Sequence, residues 1–222
     1  MEKVFIALSG GVDSSVAAFL LVEAGFQVEG IMLRLWTDPF AKGENKCCSL
    51  DSVNHAHRTA KMLGIPFHLL DYSDRFKNNI VDHFIESYRI GLTPNPCVHC
   101  NRLIKWGQLL KEIQKLGGDY LATGHYARLL KAPDGKVELF TGLDPKKDQA
   151  YVLSYLKQEQ LAKTILPLGE KTKSDVRKIA LKNKMSSAKL PDSQDLCFVG
   201  EQNYKEFLRN YAPETYSPGL IV

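Results

Sequence analysis

Short apolar runs alternate with longer amphipathic stretches over the first half of the chain. The apolar runs have the length of buried strands and lie at residues 4–8, 27–33, 67–70 and 120–123. The stretches between them carry apolar residues at helical spacing, which predicts helices over residues 14–24, 51–63, 74–89 and 101–116. Strands that alternate with helices in this way indicate an α/β fold, in which a parallel sheet has helices on both faces.

The pattern changes after Gly124. Two strand-like runs, 126–130 and 137–141, flank the turn sequence Pro-Asp-Gly at 133–135, which predicts a β-hairpin with a short loop. Beyond the hairpin, the spacing of apolar residues predicts two further helices, over residues 173–183 and 203–210.

A candidate domain boundary lies between residues 157 and 168, where Pro167 and Gly169 interrupt the pattern. We therefore predict a large α/β domain over residues 1–160 and a small, mainly helical segment over residues 161–222. The chain ends on an apolar run after Pro218 and Gly219. Because a terminal strand without a partner is unfavourable, we expect this run to pair with something nearby or the natural chain to continue.

Composition and charge are those of an ordinary globular protein. The 222 residues are 44% hydrophobic and 24% charged, which is enough to bury a full core. The net charge of +4 is compatible with a polyanionic partner without indicating one. No apolar run is long enough to cross a bilayer, and the strand at 4–8 leaves no room for a signal peptide, so we expect a cytoplasmic protein without a membrane partner. In that compartment the five cysteines are more typical of catalysis or metal binding than of disulfides.

The most informative segment is Ser-Gly-Gly-Val-Asp-Ser at residues 9–14, between a predicted strand and a predicted helix. Glycines let the backbone approach an anion closely, and the N–H groups at a helix start point towards it. The hydroxyls of Ser9 and Ser14 can add donors. The segment is neither a Walker loop, which ends in Gly-Lys-Ser/Thr, nor a dinucleotide loop, which has another glycine spacing.

Asp13 is an unusual residue at an anion site, because its own charge would repel a phosphate. A Mg²⁺ ion beside the phosphates would resolve the conflict, since hard oxygen ligands suit that ion. The alternative is an ordinary strand–helix turn in which Asp13 caps the helix.

Cysteines form the second informative feature. Cys97 and Cys100 follow the rigid run Thr-Pro-Asn-Pro, and Cys100 lies where the helix is predicted to begin. A helix start lowers the pKa of a thiol and favours the nucleophilic thiolate. Cys197 lies far along the chain in a polar turn. Two cysteines at a nucleotide site suit a sulfur relay, in which one carries a persulfide and the other resolves it by thiol exchange.

The loop at 9–14 resembles that of the PP-loop ATP pyrophosphatases, which cleave ATP between the α and β phosphates and attach AMP to a substrate oxygen. Five motifs in the same order, covering nearly the whole chain, resemble those of the tRNA-specific 2-thiouridylases. They are the loop, Thr-Pro-Asn-Pro-x-x-x-Cys-Asn at 93–101, Ala-Thr-Gly-His-Tyr at 122–126, Lys-Asp-Gln at 147–149 and the run at 192–197. The resemblance implies a Rossmann-like (HUP) fold, ATP and Mg²⁺ as cofactors, and tRNA and a protein donor of persulfide or sulfide as partners. It implies nothing about the oligomeric state.

The resemblance also assigns residues. It implies that Cys197 carries the persulfide and that Cys100 is the nucleophile that releases the sulfur. The positions that match ATP contacts are Ala7, Leu8, Ser9, Gly10, Gly11, Val12, Asp13, Ser14, Leu33 and Gly124. The positions that match tRNA contacts are Asn95, Pro96, Cys97, His125, Lys147, Asp148 and Gln149.

Two departures from the family pattern keep alternatives open. Cys97 stands where many members have Asp, which makes three cysteines with Cys100 and Cys197. Three thiolates can hold a [4Fe–4S] cluster with one open iron, or a structural zinc with an added ligand, so a cluster mechanism stands beside the persulfide relay.

The second departure is length, because the family continues with a central segment and a β-barrel. We therefore expect residues 161–222 to contact tRNA and to continue into a missing C-terminal region.

Two rival functions and several weaker candidates remain at this point. A PP-loop amide-forming synthetase would not need Cys100 or Cys197, and a nucleotide- or RNA-binding module would release no pyrophosphate. The weaker candidates could equally be ordinary surface or core residues. They are Cys47 and Cys48 as further metal ligands, and His99 as a group that tunes the pKa of a thiol. They also include Arg102, Lys105, Lys111 and Lys115 as a basic helix face, and Trp36, Phe76 and Trp106 as stacking partners.

Overall fold

A five-stranded parallel sheet organises the chain. The computed structural model describes residues 1–40, 49–192, 196–199 and 203–216. The strands, in chain order, are β1 (Lys3–Ala7), β2 (Gln27–Arg34), β3 (Phe67–Asp71), β4 (Tyr120–Ala122), β5 (Ala127–Lys131), β6 (Val137–Thr141) and β7 (Thr164–Ile165). The main sheet has the order β3-β2-β1-β4-β7 with every pairing parallel, whereas β5 and β6 form a separate antiparallel hairpin. The predicted parallel sheet and hairpin are both confirmed.

Helices connect the strands. They are α1 (Val12–Glu23), α2 (Leu50–Leu63), α3 (73–89), α4 (96–115), α5 (Gln158–Leu161), α6 (Lys173–Lys182) and α7 (Tyr204–Tyr211). Two of them change their hydrogen-bond pattern along their length, because Lys77–Val81 in α3 and Cys100–Leu109 in α4 are π-helical. Short 3₁₀ turns lie at Ala150–Leu153 and Pro213–Tyr216. No helix among the described ranges is both long and apolar enough to cross a membrane.

Both faces of the sheet are buried, as the continuous apolar runs predicted. Side chains alternate along β1, so that Val4 and Ile6 lie in one cluster and Phe5 in another. The first cluster fills the space between the sheet and helices α1, α2 and α6, and the second lies between the sheet and helix α4. Helices therefore cover both faces, which confirms the α/β class.

The main sheet continues beyond residue 160, where the sequence predicted a boundary. Strand β7 pairs with β4, and the buried Trp106 donates its indole N–H to the hydroxyl of Thr164 at 2.6 Å. Helix α6 packs on the first cluster through the fully buried Val176 and Ala180. The segment after residue 160 is thus not only helical, and it shares the core of the preceding residues.

A third cluster, rich in aromatic residues and called the aromatic cluster below, lies beside the carboxyl ends of β2 and β3. Phe198 is 1% exposed and packs against Phe76 and Phe84 of α3 and against Phe207 of α7. Leu33 and Leu70 border the same cluster. Helix α7 thus holds the later part of the chain against the sheet. The predictions for residues 47–48 and 218–222 fall outside the described residues.

Candidate active site

The loop after β1 has the geometry of an anion cradle. Gly10 has φ +78°, and a Cβ atom there would lie 2.3 Å from the carbonyl oxygen of Ser52, so only glycine fits. The hydroxyl of Ser14 accepts a hydrogen bond from the backbone N–H of Ser9 at 3.2 Å, which closes the loop. Gly11 caps helix α1 without a side-chain hydrogen bond. The first-turn N–H groups of α1 therefore face the loop without a capping side chain between them and an incoming anion.

Gly124, just beyond β4, packs directly on this loop. A Cβ atom at Gly124 would lie 2.9 Å from the carbonyl carbon of Asp13 and 2.9 Å from the amide nitrogen of Ser14. The next residue, His125, shares a hydrogen bond of 2.7 Å with the buried Thr123 hydroxyl. Burial, and secondarily the charge of Lys105, hold the pKa of His125 well below its ordinary value, so its imidazole is neutral at pH 7.

One cavity of about 390 Å³ joins the loop to the cysteines. The predicted site residues that line it are Ala7, Leu8, Ser9, Asp13, Ser14, Leu33, Pro96, Cys97, Cys100, Gly124, His125, Gln149 and Cys197. Gly10, Gly11 and Val12 form the loop without lining the cavity, and Asn95, Lys147 and Asp148 lie outside its lining. The loop at residues 9–14, called the phosphate loop below after its expected ligand, and the two distant thiols of the proposed relay therefore line one cavity.

The predicted position of Cys100 at a helix start is wrong. Helix α4 begins at Pro96 and not at Asn101, because Asn95 caps it by accepting hydrogen bonds from the backbone N–H groups of Cys97, at 3.1 Å, and Val98, at 3.2 Å. Cys97 therefore lies in the first turn, and Cys100 lies one turn further along. Because the influence of a helix start fades within its first turn, the dipole argument applies to Cys97 rather than to Cys100.

The two thiols of the proposed relay border the same aromatic cluster. Cys100 and Cys197 are both partly buried and pack against the cluster around Phe198, whereas Cys97 is exposed. Within the ranges that the structure describes, no three side chains of His, Cys, Asp or Glu are spaced to share a metal ion. As these side chains stand, the three cysteines line one cavity without forming a cluster site.

His99 lies between the cysteines and stacks on another histidine. Its ring centroid is 4.3 Å from that of His83. Burial lowers the pKa of His99, and the neighbouring charges of His83 and Arg102 lower it further. The His99 imidazole is therefore held in its neutral form, and its ring faces His83 rather than the cavity lining.

A lysine that the sequence analysis did not single out contacts the phosphate loop. The Lys173 ammonium lies 2.7 Å and 2.8 Å from the two carboxylate oxygens of Asp13, and the hydroxyl of Tyr126 donates to the same carboxylate at 2.7 Å. Burial, and then the charge of Asp13, raise the pKa of Tyr126, so it stays a donor. The charge of Asp13, which had suggested a Mg²⁺ ligand, is balanced here by Lys173. No sequence signal links two residues so far apart.

Lys173 also contacts a second carboxylate. Asp192 lies 2.8 Å from the Lys173 ammonium, 2.6 Å from that of Lys147 and 2.7 Å from the Arg177 guanidinium. Although burial opposes it, these cations, Lys147 and Lys173 foremost, lower the pKa of Asp192 from 3.8 to about 2. Asp192 is therefore ionised across the physiological pH range.

The motif at 147–149 has three different local roles. Lys147 pairs with Asp192, and Asp148 accepts hydrogen bonds from the backbone N–H groups of Gly142, at 2.8 Å, and Ala150, at 3.3 Å. Gln149 accepts from the backbone N–H of Tyr126 at 3.1 Å and lines the cavity. The motif thus joins the hairpin to the cavity wall.

One exposed tyrosine lines the cavity, and a second follows it four residues along the chain. Tyr151 lines the cavity and is 60% exposed, and Tyr155, one turn further, is 62% exposed. The Arg102 guanidinium lies 5.7 Å from the centre of the Tyr155 ring. Of the aromatic residues named in the sequence analysis, Phe76 is buried but lines the cavity, Trp106 is buried away from its lining, and Trp36 packs against Phe207.

The family model described as the tRNA methyl transferase HUP domain matches residues 2–201. The chain belongs to this family. It is 48% identical, over its full length, to a tRNA-specific 2-thiouridylase MnmA of Carboxydothermus hydrogenoformans, and 44% identical to one of Lachnoclostridium phytofermentans. It covers 62% and 63% of the length of these two relatives. The resemblance to the 2-thiouridylases that the motifs indicated is confirmed.

Solved structures support the same fold. A 4-thiouridine synthetase in complex with RNA and bound ATP matches 96% of this chain and 51% of its own, with a TM-score of 0.50 and 16% sequence identity. At that identity the likeness establishes a common fold, and the chemistry must be argued from the site.

Proposed function

We propose that the chain catalyses the ATP-dependent thiolation of the wobble uridine of tRNA, as a tRNA-specific 2-thiouridylase. The observation that carries the proposal is the single cavity lined by the loop residues Ser9 and Ser14 and by Cys100 and Cys197. An adenylating enzyme without a sulfur step would not need thiols beside its phosphate loop. The relatives named 2-thiouridylase support the assignment.

The first half of the reaction is adenylation. The C2 oxygen of the uridine attacks the α-phosphate of ATP, pyrophosphate leaves, and the base carries AMP on that oxygen. The first-turn N–H groups of α1 are the donors that face the phosphates. The hydroxyl of Ser14 donates to the backbone carbonyl of Gly11 at 3.2 Å and pairs with that of Ser9, so a bound phosphate would replace these contacts. The protein contributes position and charge stabilisation rather than covalent chemistry.

Mg²⁺ is expected to accompany the phosphates of ATP, since it suits phosphate oxygens. Asp13 does not fit as its ligand in this arrangement, because Lys173 contacts both of its carboxylate oxygens and Tyr126 donates to one of them. We therefore assign Asp13 to the support of the loop.

The second half is sulfur transfer. Cys197 receives a persulfide from a donor protein, and the thiolate of Cys100 attacks its Sγ atom. A Cys100–Cys197 disulfide forms, and hydrosulfide leaves. The hydrosulfide adds to C2 of the activated base and AMP departs, which leaves a C2–sulfur double bond. An external thiol then reduces the disulfide before the next cycle.

The target base must leave its stack to reach the loop, as is general for enzymes that act on one base. Residues 95–97, His125 and residues 147–149 surround the cavity or adjoin its wall, where they can meet the flipped nucleotide. Tyr151 and Tyr155, with Arg102, offer stacking surfaces and a positive charge for the adjacent bases. We extend the proposed tRNA contact to the segment 161–222, which borders the site through α6 and Cys197.

Single substitutions separate the two halves. Cys100→Ser and Cys197→Ser are expected to keep tRNA-dependent release of pyrophosphate and to abolish formation of 2-thiouridine, which mass spectrometry of digested tRNA measures. Retention of full turnover in both variants would favour an amide-forming synthetase. A wild-type chain that releases no pyrophosphate with tRNA would indicate a binding module.

A cluster mechanism is the second candidate, favoured by the third cysteine, Cys97, on the same cavity. Cys97→Ser distinguishes the two mechanisms, since the relay uses only Cys100 and Cys197. If a cluster acts, anaerobically purified protein is brown with a broad absorbance at roughly 400 nm, and Cys97→Ser loses both iron and activity. If the relay acts, iron-free protein is fully active and Cys97→Ser retains sulfur transfer.

A further inference from the structure

The backbone of Lys173 is fixed by contacts that do not involve its side chain. It is the first residue of α6, after the cap Thr172, whose hydroxyl accepts from the backbone N–H of Asp175. The backbone N–H of Lys173 donates to the Asp144 carboxylate at 3.0 Å. The side chain is 12% exposed. Because its Cα atom is fixed and its side chain is largely enclosed, Lys173 can place its ammonium group in few positions.

Its ammonium bridges two parts of the site that are distant in sequence. One partner, Asp13, belongs to the phosphate loop and lines the cavity. The other, Asp192, begins the run that ends at Cys197. Lys173 itself does not line the cavity, so any influence on the reaction passes through these two carboxylates.

The two carboxylates depend on Lys173 to different degrees. Asp192 also pairs with Lys147 and Arg177, and would keep two cations without Lys173. Asp13 would keep the hydroxyl of Tyr126, which carries no charge. Removal of Lys173 would therefore leave an uncompensated negative charge on the phosphate loop, where it repels the phosphates of ATP.

Described residues on both sides of Cys197 in the chain have fixed contacts. Downstream, Phe198 is buried in the aromatic cluster. Upstream, Asp192 is held by Lys173 and Arg177, and Arg177 also donates to the backbone carbonyls of Ala188 and Leu190, each at 3.1 Å. The lysine thus joins the loop at 9–14 to Asp192, the last described residue before the segment that carries Cys197.

We propose that Lys173 is a positioning residue that couples the phosphate loop to the segment carrying Cys197, so that ATP binding and sulfur delivery occur in one geometry. The inference rests on the proposed function. It makes two separable statements: the ammonium neutralises Asp13 for ATP binding, and it holds Asp192 for sulfur transfer.

The test compares Lys173→Met with Arg177→Met, a matched control that removes a cation from Asp192 and leaves Asp13 untouched. Two quantities are measured on the full chain: the KM for ATP in tRNA-dependent pyrophosphate release, and the amount of 2-thiouridine formed per pyrophosphate. Lys173→Met is expected to raise the KM on the order of tenfold and to lower the ratio, since a charge-assisted contact is lost. Arg177→Met is expected to lower the ratio with an unchanged KM.

Two further variants keep the test decisive. Lys173→Arg is expected to restore most of both quantities because it preserves the charge, and Asp13→Asn in the Lys173→Met background is expected to lower the KM for ATP again. If Lys173→Met does not fold, Lys173→Gln is used in its place, because glutamine keeps a hydrogen-bond donor and lacks the charge. The inference is overturned if Lys173→Met, or Lys173→Gln in its place, leaves both the KM for ATP and the amount of 2-thiouridine per pyrophosphate unchanged. A lower melting temperature with both quantities unchanged would also overturn it, because Lys173 would then act only on stability.

The outcome is distinguishable from failure of the proposed function. If the wild-type chain thiolates tRNA and the lysine variants equal it, the inference alone fails. If the wild-type chain does not thiolate tRNA, the proposed function fails, and calorimetric titration with ATP still tests the first statement. Equal ATP affinity of wild type and Lys173→Met would then overturn it.

Discussion

Gly10→Ala is expected to destabilise the protein by about 2–4 kcal/mol and to weaken ATP binding. The left-handed φ of +78° at Gly10 costs an alanine about 1–2 kcal/mol, part of which is offset by the lower entropy of the unfolded chain. The new Cβ would also lie 2.3 Å from the backbone oxygen of Ser52, in the first turn of α2. Relief of this overlap requires the loop or the helix to shift, at about 1–3 kcal/mol.

Gly25→Ala is the matched control. Gly25 has almost the same backbone angle, φ +81°, but a Cβ atom there would meet nothing within 4 Å. We expect it to lose about 1 kcal/mol through the backbone angle alone. The free energy of unfolding of both variants is measured by urea denaturation, and ATP affinity by calorimetric titration. The difference between the variants isolates the contact of the loop with α2.

Equal losses of stability in the two variants would refute the reasoning, because the overlap with Ser52 would then have no energetic consequence. Unchanged ATP affinity in Gly10→Ala would refute the second part, that the position of this loop relative to α2 determines how its N–H groups meet the phosphates.

Three further predictions concern the supports of the site. Phe198→Ala removes a ring that is 1% exposed from the aromatic cluster, and we expect a loss of about 3–5 kcal/mol in chemical denaturation, with a smaller loss for Phe198→Leu. Trp106→Phe removes the 2.6 Å hydrogen bond to Thr164 and is expected to cost about 1–2 kcal/mol, and less in a Thr164→Val background. Asp192, whose pKa falls from 3.8 to about 2 on folding, stabilises the protein above pH 4, and this contribution is lost as the pH falls towards 2. Asp192→Asn is therefore expected to flatten the dependence of stability on pH in that window.

Each of these has an outcome that contradicts it. Equal losses for the alanine and leucine variants of Phe198 would mean that the packed volume of the ring is unimportant. A cost of Trp106→Phe that is independent of residue 164 would show that the hydrogen bond contributes nothing. A pH profile of Asp192→Asn that is parallel to that of wild type between pH 4 and 2 would show that other carboxylates account for the acid sensitivity.

The sequence predicts the centre of the sheet because its strands are buried on both faces and appear as continuous apolar runs. The predictions for β1 to β4 fall within about two residues of the observed bounds, as is usual for element ends. Strand β7 escapes the same reasoning, since Thr164–Ile165 is too short to show a period. It joins the sheet through its pairing with β4, and pairing between distant segments leaves no local pattern.

A local sequence signal marks the start of α4, five residues before the predicted start. Asn95 followed by Pro96 is a capping residue followed by the favoured first residue of a helix. The spacing of apolar residues predicts a start at Asn101, five residues after the observed start at Pro96, because the first turn of the helix carries no apolar pattern of its own. The helix start therefore belongs to Cys97 rather than to Cys100.

The two halves of the proposed reaction are supported by different parts of the core. Leu8, just before the phosphate loop, and Val12, within it, belong to the cluster under α1, whereas Cys100 and Cys197 border the aromatic cluster beside α3. Because each core is packed by its own side chains, a substitution in the aromatic cluster should displace the thiols while adenylation persists. Coordination between the halves must then come from a contact that spans both, and the Lys173 bridge between Asp13 and Asp192 is such a contact. A polar bridge suits this role better than apolar packing, since its strength depends on the charge that ATP brings to the loop.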